Sequence, residues 1–174
     1  MDDPARTFEA LALPHLDAAY NLARWLARSP ADAEDIVQDA MLRAFRGFHG
    51  SRGQDLRPWL LAIVRNCWRS RAAADQRRVH VALPEEDGHE LVSDGPDPEV
   101  QAVRASETRR LESAIAALPD AFREVLILRE MEDLSYQEIA EVVRAPIGTV
   151  MSRLARARAM LRDQWLAEAR DELR

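Results

Sequence analysis

Apolar residues recur at intervals of three and four along most of this chain, the spacing of amphipathic helices, and nowhere do they alternate as in a half-buried strand. Residues 5 to 28 read as one helix or two, broken near Pro14, with Leu13, Leu16, Tyr20, Leu22, Ala23 and Leu26 facing a core. Arg28-Ser29-Pro30 punctuates the chain. Ser29 is a good N-cap, Pro30 suits the first helical position, and Asp32 falls where a capping-box acid belongs. At about 100° per residue, the helix from Asp32 to Phe48 gathers Ile36, Val37, Ala40, Met41, Ala44, Phe45 and Phe48 on one arc. Asp32, Asp35, Asp39, Arg43 and Arg46 fill the opposite arc.

Gly47 to Asp55 holds three glycines in nine residues and reads as a loop. A further helix runs from Arg57 or Pro58 to Arg78, with Trp59, Leu60, Ile63, Val64, Cys67 and Trp68 inward and Arg65, Asn66, Arg69 and Ser70 outward. Residues 81–105 break the pattern with three prolines, two glycines and seven acids, the composition of a linker. A helix can begin near Pro98 or Glu99 and run through Val103, Leu111 and Ile115 to Leu118. Leu118-Pro119-Asp120 then caps another, carrying Phe122, Val125, Leu126 and Leu128 up to a turn at Met131 to Leu134.

The most informative stretch is Leu134 to Arg162. Ser135 and Glu138 form a capping box, and Ile139, Ala140 and Val143 follow at helical spacing. Pro146 then disfavours a helical Ala145 and ends the run. A second helix starts near Ile147 with an apolar stripe of Ile147, Val150, Leu154, Ala157 and Leu161, leaving Arg153, Arg156 and Arg162 off the stripe. A short helix, a tight turn and a longer basic helix is the pattern of a DNA-binding helix-turn-helix. The plainer reading is a helical hairpin whose arginines are solvated.

Charge sharpens the choice. The 174 residues carry a formal charge of −6, which by itself argues against nucleic acid. The charge is unevenly spread, however: residues 1–80 hold twelve arginines against ten acids, residues 81–105 one against seven, and residues 106–174 eleven against thirteen. From Ala145 to Arg162 there are four arginines and no acid, and Leu56 to Ala74 is also acid-free, so phosphate is a natural partner for both stretches. Every basic residue is Arg, which suits bidentate contact with phosphate and base edges but is more simply what a GC-rich genome produces, and so carries little functional weight.

Asp35, Gln38 and Asp39 admit two readings: a solvated face gaining about 0.3 to 1 kcal/mol per acid from the helix dipole, or a docking surface. Trp59 and Trp68 are core residues or platforms for unstacked bases. Cys67 excludes an internal disulfide and fits a reducing cytoplasm; its neighbours Ile63 and Val64 make it a small core residue. The four histidines are scattered and no GxxxxGK[ST] loop is present, so neither a metal site, a cofactor nor catalytic chemistry is expected. No apolar run approaches a membrane span, and a soluble, cytoplasmic protein without direct membrane insertion is expected. The expected fold is all-α, with two small helical domains (1–80 and 106–174) joined by an acidic flexible linker (81–105), the second domain containing the helix-turn-helix.

Taken together, DAEDIVQDAMLRAF at 32–45, RPWLLAIVRN at 57–66, LPDAFREVLILRE at 118–130 and LSYQEIAEVVRAPIGTVMSRLARAR at 134–158 resemble bacterial RNA polymerase sigma factors of the extracytoplasmic-function group, in the family's order and spacing. The resemblance implies a non-enzymatic alternative sigma factor that binds core RNA polymerase and directs promoter-specific initiation in a stress or envelope response. It turns Asp35, Gln38 and Asp39 into contacts with the clamp helices of the largest polymerase subunit. Arg65, Asn66 and Arg69 become the minus-ten face, with the loop at 47–55 beside them. On the minus-thirty-five helix, Met151, Ser152, Ala155 and Arg156 lie where bases are read, while Thr149, Arg153 and Arg158 suit phosphates. The polymerase flap, promoter DNA and an anti-sigma factor able to hold the protein at the inner membrane are the implied partners. The linker resembles the segment threading toward the active-site cleft and RNA exit channel.

Two residues depart from the family pattern. Arg144 stands in the turn where Gly is common, a cost of about 1 to 2 kcal/mol if the backbone is left-handed. Met151 replaces a frequent basic residue and removes one potential guanine contact. A dimeric helix-turn-helix regulator acting without core polymerase and a sigma-like decoy for an anti-sigma protein are the alternatives; the 32–48 helix disfavours the first and the intact basic helix the second.

Overall fold

The computed structural model describes residues 4–27, 29–48, 55–78 and 98–172, and among them every regular element is helical. In the N-terminal half, α1 spans Pro4–Ala12, a 3-10 turn covers Leu13–His15, and α2 (Leu16–Leu26), α3 (Pro30–Gly47) and α4 (Leu56–Arg78) follow. The start of α3 forms as its sequence predicts: the Ser29 hydroxyl oxygen accepts the Asp32 amide at 3.1 Å, and Pro30 enters the first turn. Asp55 performs a similar service ahead of α4, its Oδ1 accepting the Arg57 amide at 3.0 Å. Residues 49–54 of the expected glycine-rich loop lie outside the described residues.

The break near Pro14 changes which residues face inward. A 3-10 turn has three residues per turn, so it resets the helical phase between α1 and α2. Leu13 and Leu16, expected in the core, are therefore exposed, and Phe8 and Ala12 take their place. Phe45, also expected inside, is nearly half exposed, yet its ring meets Phe8 edge-on at 5.5 Å.

The C-terminal half consists of α5 (Pro98–Ala116), α6 (Asp120–Glu130), α7 (Tyr136–Val143) and α8 (Ile147–Glu172). The backbone of 98–105, assigned above to the linker, is already helical, and 79–97 lie outside the described residues. At α7 the capping box is complete: the Glu138 amide donates to Ser135 Oγ at 3.2 Å, and the Ser135 amide donates to Glu138 Oε2 at 2.7 Å. The Ser135 side chain, and after it the Ser135 amide, stabilise the ionised Glu138 carboxylate and hold its pKa below the usual value. The far end of α7 closes in the Schellman manner, with the Ala145 amide bonded to the Ala140 carbonyl at 3.1 Å and that of Arg144 to Glu141 at 3.4 Å. This closure needs a left-handed residue, and Arg144 adopts φ 52°, ψ 52°.

The two halves pack together. α4 touches α2 and α3 in its own half and α7 in the other, while α2 also meets α6. One continuous cluster of buried apolar residues runs from Phe8 to Ala157. Polar contacts cross the same seam: Arg57 Nη2 lies 2.8 Å from Glu132 Oε2, and Arg65 pairs with Glu124.

Candidate nucleic-acid interface

α8 is seated by Val150, Leu154 and Ala157, all essentially inaccessible to water, and by the half-buried Leu161. Fully burying a leucine such as Leu154 contributes about 1.5 to 3 kcal/mol, so the helix is held by its stripe rather than by its propensity. Ile147, expected to begin that stripe, is exposed because it lies in the first turn, ahead of the packed face. The outward side carries Met151, Ser152, Ala155 and Arg156, every one exposed, with Met151 at 53%. Their offsets of three and four residues put them on one surface. The Ser152 hydroxyl donates to the Thr149 carbonyl at 3.0 Å, and Thr149 is half-buried at the start of the helix.

Two of the expected phosphate ligands have protein partners. Arg153 Nη1 stands 3.7 Å from Glu124 Oε1, and Arg158 Nη2 bonds Glu130 Oε1 at 2.6 Å. The second pair is about half exposed on both sides, so water competes with it and its net contribution is about 0 to 1 kcal/mol.

On α4 the expected DNA-facing trio divides. Arg69 is exposed and Asn66 half-buried, but Arg65, expected to point outward, is only 5% exposed. Its Nε donates to Glu124 Oε2 at 2.8 Å and its Nη2 to Oε1 at 3.1 Å. The cause is a rotation of the buried arc. Leu56, Leu60, Leu61, Val64, Arg65, Cys67 and Trp68 are buried, while Trp59 and Ile63 move to the margin. At about 100° per residue that arc is turned by about 60° from the one the apolar pattern implies. Leu61 was the overlooked signal: it is four residues before Arg65 and fully buried.

The acidic face of α3 is presented as expected, with Asp35 and Gln38 exposed and Asp39 half-buried. Arg71 Nη2, on α4, bridges Asp32 Oδ1 at 2.8 Å and Asp35 Oδ2 at 3.1 Å, and Arg43 pairs with Asp39 at 2.9 Å. Leu42, which the arc reading passed over, is 56% exposed at helical spacing from Gln38 and Asp39, so acids and an apolar side chain share one surface. Behind it Cys67 is buried, and burial together with nearby Asp39 pushes its thiol up to about 11, leaving it inert. Among the described residues no cluster of His, Cys, Asp and Glu is arranged to hold a metal ion. No described helix is long and apolar enough to cross a membrane.

Comparison with known proteins decides what this arrangement belongs to. Residues 11–78 match Sigma-70 region 2, and residues 108–161 match Sigma-70, region 4. The chain is 32% identical to the ECF RNA polymerase sigma factor SigE of Mycolicibacterium smegmatis over 90% of its own length and 61% of that protein's. It is 30% identical to the ECF RNA polymerase sigma factor SigW of Bacillus subtilis over 85% of its length and 83% of that protein's. This chain belongs to the extracytoplasmic-function (ECF) group of the sigma-70 family. The fold of this sigma factor agrees with that of RpoE from Bartonella quintana, solved in complex with the anti-sigma factor NepR: the TM-score is 0.75 at 26% identity, over 91% of this chain and 96% of the other. CnrH, solved with the cytosolic domain of CnrY, shares the fold with a TM-score of 0.66 at 24% identity. The region 2 match takes in the α3 acids and the α4 trio, and the region 4 match takes in α7, the turn and α8 as far as Leu161.

Proposed function

We propose that this ECF sigma factor binds core RNA polymerase and directs promoter-specific initiation as an alternative sigma factor in a stress or envelope response. The observation that carries the reading is the presence, on one chain, of matches to both region 2 and region 4, the second presenting an open face of Met151, Ser152, Ala155 and Arg156. Such a face fits the major groove, where base edges are distinguishable. In this reading residues 1–80 bind the polymerase and the minus-ten element, residues 106–174 bind the minus-thirty-five element, and 81–105 connect them. Asp35, Gln38 and Asp39 dock on the clamp helices of the largest subunit, and the region 4 half lies against the flap. Arg69, Asn66 and a released Arg65 contact the minus-ten DNA, and Thr149, Arg153 and Arg158 take phosphates. Melting is driven by binding energy captured from unpaired bases. An anti-sigma protein, as in the RpoE–NepR complex, restrains the factor in the cytoplasm or, if itself membrane-bound, at the inner membrane.

Run-off transcription with purified core polymerase on the DNA upstream of the protein's own gene tests the reading. A transcript from a defined start that requires the protein is the expected result. No transcript and no co-elution with core would overturn it.

A further inference from the structure

Glu124 lies in α6 and is 1% exposed, a carboxylate buried where it needs partners. It takes the fork of Arg65 on α4 at 2.8 and 3.1 Å and stands 3.7 Å from Arg153 on α8. One acid therefore gathers an arginine from each of the two helices assigned above to DNA. Glu132, just beyond α6 and almost fully buried, takes Arg57 from the first turn of α4 at 2.8 Å. Arg57 and Arg65 of α4 thus reach across the seam between the halves. A bidentate arginine–carboxylate pair uses the same parallel N–H donors that would grip a phosphate or a guanine edge. Arg65 cannot make both contacts at once.

We propose that Glu124 and Glu132 form an intramolecular latch that holds the chain closed and withholds Arg65 from DNA, so that the two halves must separate before α4 engages the promoter. The identity of the withheld ligand rests on the proposed function, whereas the closed state is a property of the chain alone. The thermodynamics of the latch are one-sided. In the open state all four side chains are hydrated, so losing one of them costs little; in the closed state its partner stays buried without a counter-charge. Removing one partner therefore shifts the equilibrium toward open. Apparent DNA affinity rises in proportion, because only the open fraction binds.

The test uses the full chain with spin labels at Glu34→Cys on α3 and Glu141→Cys on α7, both exposed positions, Cys67 being buried. Pulsed-EPR distances report whether the halves are together. The unaltered latch gives one short-distance population. Glu124→Gln and, independently, Arg57→Gln add longer distances, raising the open-to-closed ratio about tenfold or more, and binding to the upstream duplex, read by fluorescence anisotropy, improves with it. Unchanged helicity by circular dichroism separates opening from unfolding; if Glu124→Gln fails to fold, the half-exposed Arg57 position decides. Short distances retained in Arg57→Gln and in any folded Glu124→Gln would overturn the latch, as would opened variants whose DNA affinity stays within about twofold of the original. A protein that opens as expected but neither yields a transcript nor co-elutes with core polymerase would refute the proposed function and leave the latch standing.

Discussion

α4 and α8 look alike in sequence, each an arginine-rich helix with a long acid-free run, at 56–74 and 145–162. In the fold they differ in how much of their surface is covered. α8 is packed along one stripe, and Met151, Ser152, Ala155 and Arg156, opposite it, stay open to solvent. α4 is packed against its own half and against α7, and its buried arc extends over Arg65. The difference teaches that apolar periodicity reports a helix's face toward its nearest core. A second neighbour can bury polar positions beside that face, provided it brings an opposite charge, as α6 does with Glu124.

The contrast breaks most visibly at Arg65. Arg65→Ala strips Glu124 of its bidentate partner, and the closed fold should lose about 3 to 5 kcal/mol, less whatever opening recovers by hydrating the acid. Arg69→Ala, on the exposed side of the same helix, should stay within about 0.5 kcal/mol. Thermal or urea unfolding measures both, and equal shifts would erase the distinction between the two positions. On α8 the corresponding change acts on binding rather than on folding. Arg156→Ala should weaken promoter binding by about 1 to 3 kcal/mol and relax preference at one base pair. Titrations on a panel of single-base promoter variants would expose a uniform loss instead, which would make Arg156 a phosphate contact. The smallest effect concerns the turn that aims α8. Arg144 sits at φ 52°, where a side chain is strained, so Arg144→Gly should stabilise the fold by about 1 kcal/mol. A lower unfolding midpoint in that variant would mean that the Arg144 side chain contributes more than its backbone costs.

Much of this was legible beforehand where the signal is local. Ser29 caps α3, and Ser135 with Glu138 forms the capping box of α7, as their spacing says, because such bonds join residues three apart that meet as soon as the helix turns once. The left-handed Arg144 was foreseeable as a question of turn chemistry, and the open face of α8 followed from its stripe. The phase of α2 after Pro14 and the burial of Arg65 were not legible. Each depends on the angle at which one helix meets another, and the apolar pattern constrains that angle only to within an arc.

By itself the sequence determined the helices, their caps, the capped turn before α8 and the family. These are set by contacts within a few residues or by motifs in fixed order. Only the tertiary structure decided that the two halves share one core and that Glu124 holds Arg65 and stands beside Arg153. The Arg65–Glu124 pair joins residues 59 apart in the chain, with no period linking them. An ion pair of that kind has no cost or benefit until packing removes water from both partners, so it exists as an interaction only in the folded chain.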